Sequence, residues 1–64
     1  MADFSEFIGL TLGVDVSVQE IKDATGRTVA RIALPDAQLT MDINHERVTI
    51  FVDYNYLITE IQLG

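Results

Sequence analysis

Apolar residues near the start of the chain fall on alternate positions: Ile8, Leu10, Leu12, Val14 and Val16, separated by Gly9, Thr11, Gly13 and Asp15. That is the period of a strand, but the two glycines weaken any regular element there. Residues 1–16 are therefore expected to join the fold as irregular or extended chain. Residues 17–25 switch to a helical signal. Ser17 and Glu20 have the spacing of a capping box, in which each side chain satisfies an orphan backbone N–H. Val16 and Ile21 stand where a hydrophobic staple would close, and Gly26 where a left-handed C′ residue would end the helix. Val18, Ile21 and Thr25 share one face. Two turns are unstable alone in water, so this helix must pack on a sheet.

The rest of the chain supplies that sheet. Residues 28–34 and 47–53 have strand character, and in the second run Val48, Ile50 and Val52 share one face while Arg47, Thr49, Phe51 and Asp53 share the other. The valine–isoleucine face is expected to meet the helix. A third apolar run, Leu57 to Leu63, follows Asp53 after a connection short enough to be a hairpin, with Asn55 expected to take the positive φ. Tyr54 and Tyr56 flank this turn and are expected to cover their own sheet.

Residues 35–46 separate the first two strands and show no convincing period. So long a connection is unusual in a small domain and is commonly functional. It also has the length needed to cross between parallel neighbours. Leu39, Met41 and Ile43 alternate within it, so an extended, exposed course would offer an apolar stripe to another protein's pockets.

Composition narrows the picture. A chain of 64 residues makes one domain, whose stability should be modest, on the order of 3–10 kcal/mol. Cysteine is absent and there is one histidine, so neither a disulfide framework nor a structural zinc site is expected. Ten carboxylates against Lys22, Arg27, Arg31 and Arg47 give a net charge of −6, which repels nucleic acid and anionic membrane surfaces. The first residues lack the pattern of a signal peptide, and no apolar run is long enough for a bilayer span. A cytoplasmic protein and a secreted one in mature or engineered form both fit.

Chemistry that would make an enzyme is not indicated. His45 reads as a solvated loop histidine beside Asp42 and Glu46. Asp42, Asn44 and Glu46 have the spacing that starts an EF-hand, but the required glycine is missing and Arg47 intrudes. No cofactor and no metal are expected, and a monomer is the default.

One constellation stands out: Leu34-Pro35, Thr40-Met41-Asp42, Arg47-Val48, Phe51-Val52-Asp53 and the final Gly64. In this order and spacing these residues resemble the potato inhibitor I family of serine-protease inhibitors. The likeness is closer to a related microbial group, the elastase-inhibitor-like family seventy-eight of the peptidase inhibitors. Proline, four residues, Thr-Met-Asp, four residues and arginine fit without a gap, and the likeness covers residues 34–64. It implies an α+β fold in which one short helix packs on a small mixed sheet, with an exposed reactive loop between two parallel strands.

The resemblance also implies a function. The protein would be a substrate-like, slowly cleaved inhibitor presenting Met41–Asp42 to a serine protease of the subtilisin, chymotrypsin or elastase kind. Met41 would fill the primary pocket, and Leu39, Thr40 and Ile43 would contact the protease. Arg47 would reach back under the loop to Thr40 or Asp42, and Gly64 would bring the C-terminus beneath it. Three departures from the pattern bear on this. Thr49 stands where many potato inhibitor I members have a second supporting arginine, Leu63 where microbial members commonly have cysteine, and Tyr56 where a turn glycine is expected. The alternative is a non-inhibitory or redesigned relative on the same scaffold, acting as a small protein-binding domain.

Overall fold

The computed structural model describes residues 4–37 and 44–63. One helix packs on a three-stranded mixed sheet: α1 (Val18–Thr25), β1 (Val29–Ala33), β2 (Arg47–Val52) and β3 (Ile58–Leu63), preceded by a 3-10 turn at Ser5–Phe7. The strand order is β1-β2-β3. β1 runs parallel to β2 with Val29 opposite Arg47 and Ala33 opposite Phe51, and β3 runs antiparallel to β2.

The helix ends are set by the residues that announced them. The Ser17 hydroxyl accepts the Glu20 N–H at 3.2 Å, quenching an orphan donor of the first turn. Gly26 takes φ 72°, and the next N–H, of Arg27, donates back to the Lys22 carbonyl at 3.0 Å, the long bond of a Schellman ending. Thr25 closes its hydroxyl onto the Ile21 carbonyl at 2.8 Å. The staple pair Val16 and Ile21 is buried, and both join one cluster with Leu12, Val48, Ile50, Val52 and Ile58. The valine–isoleucine face of β2 therefore meets the helix as its pattern requires. Ile21, Val48 and Ile50 are fully withdrawn from water, and each such side chain stabilises the fold by roughly 1.5–3 kcal/mol.

Residues 9–12 do more than the alternation alone implied. Gly9 N–H donates to the Ile58 carbonyl at 2.9 Å, Ile58 N–H to Leu10 carbonyl at 2.9 Å, and Leu12 N–H to Tyr56 carbonyl at 2.8 Å. The segment thus lies along the start of β3. A tight loop follows: Val14 and Asp15 N–H both reach the Thr11 carbonyl, and the Asp15 carboxylate accepts the Thr11 N–H at 3.0 Å. Gly13 at φ 91° lets the chain turn there, which delivers Leu12 and Val16 to the core.

The β2–β3 turn corrects one expectation. Positive φ falls on Tyr56 (64°), not on Asn55. Asp53 explains the shift: its Oδ1 accepts the N–H groups of Asn55 and Leu57 at 2.8 and 2.9 Å, while Tyr56 N–H donates to the Asp53 carbonyl. This fixes residues 54 and 55 as the centre of the turn and leaves the left-handed step to the residue after it, as in hairpins with a three-residue loop. The sheet answers with a register shift between Phe51 and Val52. The expected sheet cover by the tyrosines is not seen for Tyr54, which is 69% exposed, while Tyr56 is about half exposed.

A left-handed conformation strains a non-glycine residue by about 1–2 kcal/mol, and glycine's extra unfolded-state freedom offsets roughly 0.5–1 kcal/mol of the relief. Tyr56→Gly should therefore raise stability by about 0.5–1 kcal/mol in urea unfolding, and Asn55→Gly should lower it by about 0.5 kcal/mol. The opposite ranking would put the left-handed step on Asn55.

Candidate functional site

Parallel pairing dictates where the long connection must go. Ala33 lies opposite Phe51 and Arg47 opposite Val29, so chain leaving β1 must return four register steps, roughly 13 Å, before it enters β2. Residues 34–46 make that return. Both of their ends are pinned.

The first end is a turn over Leu34–Ala37, in which the Ala37 N–H donates to the Leu34 carbonyl at 2.9 Å. Pro35 suits its second position because the ring presets φ. At the far end the Arg47 N–H donates to the Asn44 carbonyl at 3.2 Å, and Asn44 Oδ1 accepts the Glu46 N–H at 2.9 Å. The Glu46 carbonyl then accepts from Thr28 at 3.0 Å and from Val29 at 2.9 Å. The last residue of the connection is therefore tied to Thr28 and to Val29, the first residue of β1. An open cleft of about 240 Å³ lies under the first turn, lined by Ala33, Leu34, Pro35 and Ala37 on one side and Phe51 and Thr59 on the other.

Leu39, Thr40, Met41, Asp42 and Ile43, and also Gly64, lie outside the described residues. Arg47 is the candidate site residue that is described. It opens β2 on the face opposite the helix and is 6% exposed, with Thr49 on the same face at 3%. Both side chains or their backbones are engaged in interactions. Polar groups withdrawn this far from water are normally hydrogen-bonded or paired, and the Arg47 Nε is the exception, buried without a hydrogen bond of its own. β2 is thus apolar and buried toward the helix, and on the side away from it Arg47 and Thr49 are buried and Phe51 half-buried.

Sequence periodicity missed two features of this region. The turns that pin the connection carry no hydrophobic period; their signals are Pro35-Asp36 and the side-chain acceptor of Asn44, which mimics a backbone turn. Burial of Arg47 and Thr49 also escaped, because alternation assigns polar strand positions to solvent. His45 is exposed, in keeping with a solvated loop residue.

Arg47→Ala should destabilise the protein by about 2–4 kcal/mol, since it empties the space of a side chain that is 6% exposed and removes its interactions. Arg47→Lys, which keeps the charge without the planar fork, should cost about half as much. Urea midpoints measure both, and losses below about 0.5 kcal/mol for the alanine variant would make Arg47 a surface residue in energetic terms.

Against known proteins, neither a scan of protein-family models nor a search of curated proteins finds a match to this chain.

Proposed function

We propose that this protein is a substrate-like inhibitor of a serine protease with an apolar primary pocket, on a fold of the potato inhibitor I kind, with Met41–Asp42 as its reactive bond. The observation that carries this reading is the parallel β1–β2 pair. It is bridged by a connection with a turn at each end, and Arg47 is buried where that connection joins β2.

A protease binds substrate as an extended strand, gaining main-chain hydrogen bonds while side chains fill pockets. Any peptide does this weakly. A segment whose ends are already fixed loses less ordering entropy on association, and so binds more tightly. Met41, unbranched and apolar, suits the hydrophobic pocket of a subtilisin-, chymotrypsin- or elastase-like enzyme, whereas trypsin's buried carboxylate selects a cation. Leu39, Thr40 and Ile43 supply the neighbouring contacts. Arg47 braces the far side of the bond through charge-assisted hydrogen bonds to Thr40 or Asp42, and the C-terminus at Gly64 adds support. In this reading the protein acts as a monomer without cofactor, and catalysis belongs to the partner.

Titration of subtilisin, chymotrypsin and pancreatic elastase should give stoichiometric loss of activity with at least one of them. Ordinary digestion of residues 35–46 by all three leaves a non-inhibitory scaffold as the account of the fold. Met41→Lys should move inhibition toward trypsin by more than about tenfold, as a new buried ion pair would. An unchanged target spectrum removes Met41 from the specificity role. Arg47→Ala should accelerate cutting at 41–42 by a larger factor than its loss of global stability accounts for. Equal cutting once stability is matched would contradict the bracing role.

A further inference from the structure

Matched residues of paired strands carry their side chains to the same side of a sheet. Val48 and Ile50 close the core on the helix side, and Ala30 packs against them there. The pairs Val29–Arg47, Arg31–Thr49 and Ala33–Phe51 therefore share the face away from the helix. Ala33 fits this division, being 2% exposed yet outside the core cluster. The connection between the strands sets out on that outer face, since the cleft under its first turn is lined by Ala33 and Phe51. To enter β2 at Arg47 it must return past the level of the Arg31–Thr49 pair, the third of the five pairs in the ladder.

Two cations meet on this face. Arg31 and Arg47 are diagonal neighbours on adjoining strands, with Cα atoms about 8 Å apart by sheet geometry. Arg47 is 6% exposed and Thr49 3%, and Arg31 is half-buried between the path of the connection and the sheet edge. All three are engaged in interactions within the molecule. Away from bulk water, neighbouring guanidinium groups repel each other unless an anion lies within reach of both.

The acids near this face differ in what they offer. Asp36 and Glu46, at the two ends of the connection, are exposed. Asp53 Oδ1 holds the β2–β3 turn, and the Glu60 carboxylate, across β2, accepts from the Gln62 amide. Between Ala37 and His45 the one acid is Asp42. We infer that Arg31 is a second positioning residue for the reactive bond, and that it and Arg47 hold the Asp42 carboxylate from two strands. The inference rests on the inhibitor reading for the choice of Met41–Asp42, and adds to it a support that comes from β1. A carboxylate held by charge-assisted hydrogen bonds from both strands is fixed in direction as well as position. The bond beside it is then presented in one pose, and the leaving-group side is slow to move away.

The test is a cycle of cutting rates on the whole protein. Subtilisin cleavage at 41–42, identified by mass, is timed for the parent, Arg31→Gln, Asp42→Asn and the double variant. Each rate is corrected for the unfolded fraction measured in urea, so that a merely structural loss drops out. Arg31→Gln should accelerate cutting about tenfold, as loss of a charge-assisted hydrogen bond does. In the Asp42→Asn background the same change should have less than about a twofold effect. Arg31→Lys keeps the charge and loses the planar fork, so it should accelerate cutting only about threefold. If the glutamine variant does not fold, the lysine variant carries the cycle. Glu60→Gln is the control, and the tenfold effect of Arg31→Gln should persist in it. The inference fails if Arg31→Gln is cut at the parent's rate, or if its effect survives in the Asp42→Asn background. It also fails if the effect vanishes in the Glu60→Gln background, which would make Glu60 the partner. The inhibitor reading fails separately, by ordinary rapid digestion of the parent at 41–42, and the cycle still reports whether Arg31 holds Asp42.

Discussion

The two-sided burial of β2 is the constraint on which the rest of this structure depends. Val48, Ile50 and Val52 close the apolar core with Ile21 from the helix and Ile58 from β3, while Arg47 and Thr49 are withdrawn from water on the other face. A domain this small buries only about 60% of its unfolded surface, so one strand that uses both faces contributes a large share of what is available. It also links the two halves of the molecule. α1 and β1 precede the long connection, β2 and β3 follow it, and the β1–β2 ladder joins them.

Parallel pairing then turns a packing requirement into a long connection. An antiparallel neighbour could have been reached by a two-residue turn, but a parallel one demands a return along the whole strand. The connection that results is held at Leu34–Ala37 and at Asn44–Arg47, and Glu46 couples it to β1 at its last residue. Fixed ends of this kind are the physical basis for proposing a tight inhibitor rather than a substrate. The buried Arg47 at the junction places the strongest available donor where the connection meets the sheet.

Much of the scaffold was legible because its signals are local and redundant. Ser17, Glu20, Val16, Ile21 and Gly26 all specify the same helix, and the period of Val48, Ile50 and Val52 names the core face without ambiguity. Where two local signals competed, the sequence misled. Asn55 is the better residue for a left-handed step, yet Asp53 directs its carboxylate to the N–H groups of Asn55 and Leu57 and moves that step to Tyr56. Tertiary burial of polar residues is the other kind of miss. Nothing in the alternation around Arg47 and Thr49 distinguishes a solvated strand face from a covered one, because the distinction lies in what packs there. Of the candidate site, the sequence order of Thr40, Met41, Asp42 and Arg47 supplies the proposal, and the fold supplies the ladder that frames it.

Native-state hydrogen exchange within β2 tests this account most directly. By the alternation of the ladder the Ile50 amide bonds toward β1 and the Thr49 amide toward β3. If β2 is the cooperative centre that grips both neighbours, the two amides exchange only through global unfolding, with the same opening free energy. Exchange of Ile50 through a smaller, local opening while Thr49 stays protected would show β1 peeling away by itself, and the connection would then lack the fixed ends on which the proposed function rests.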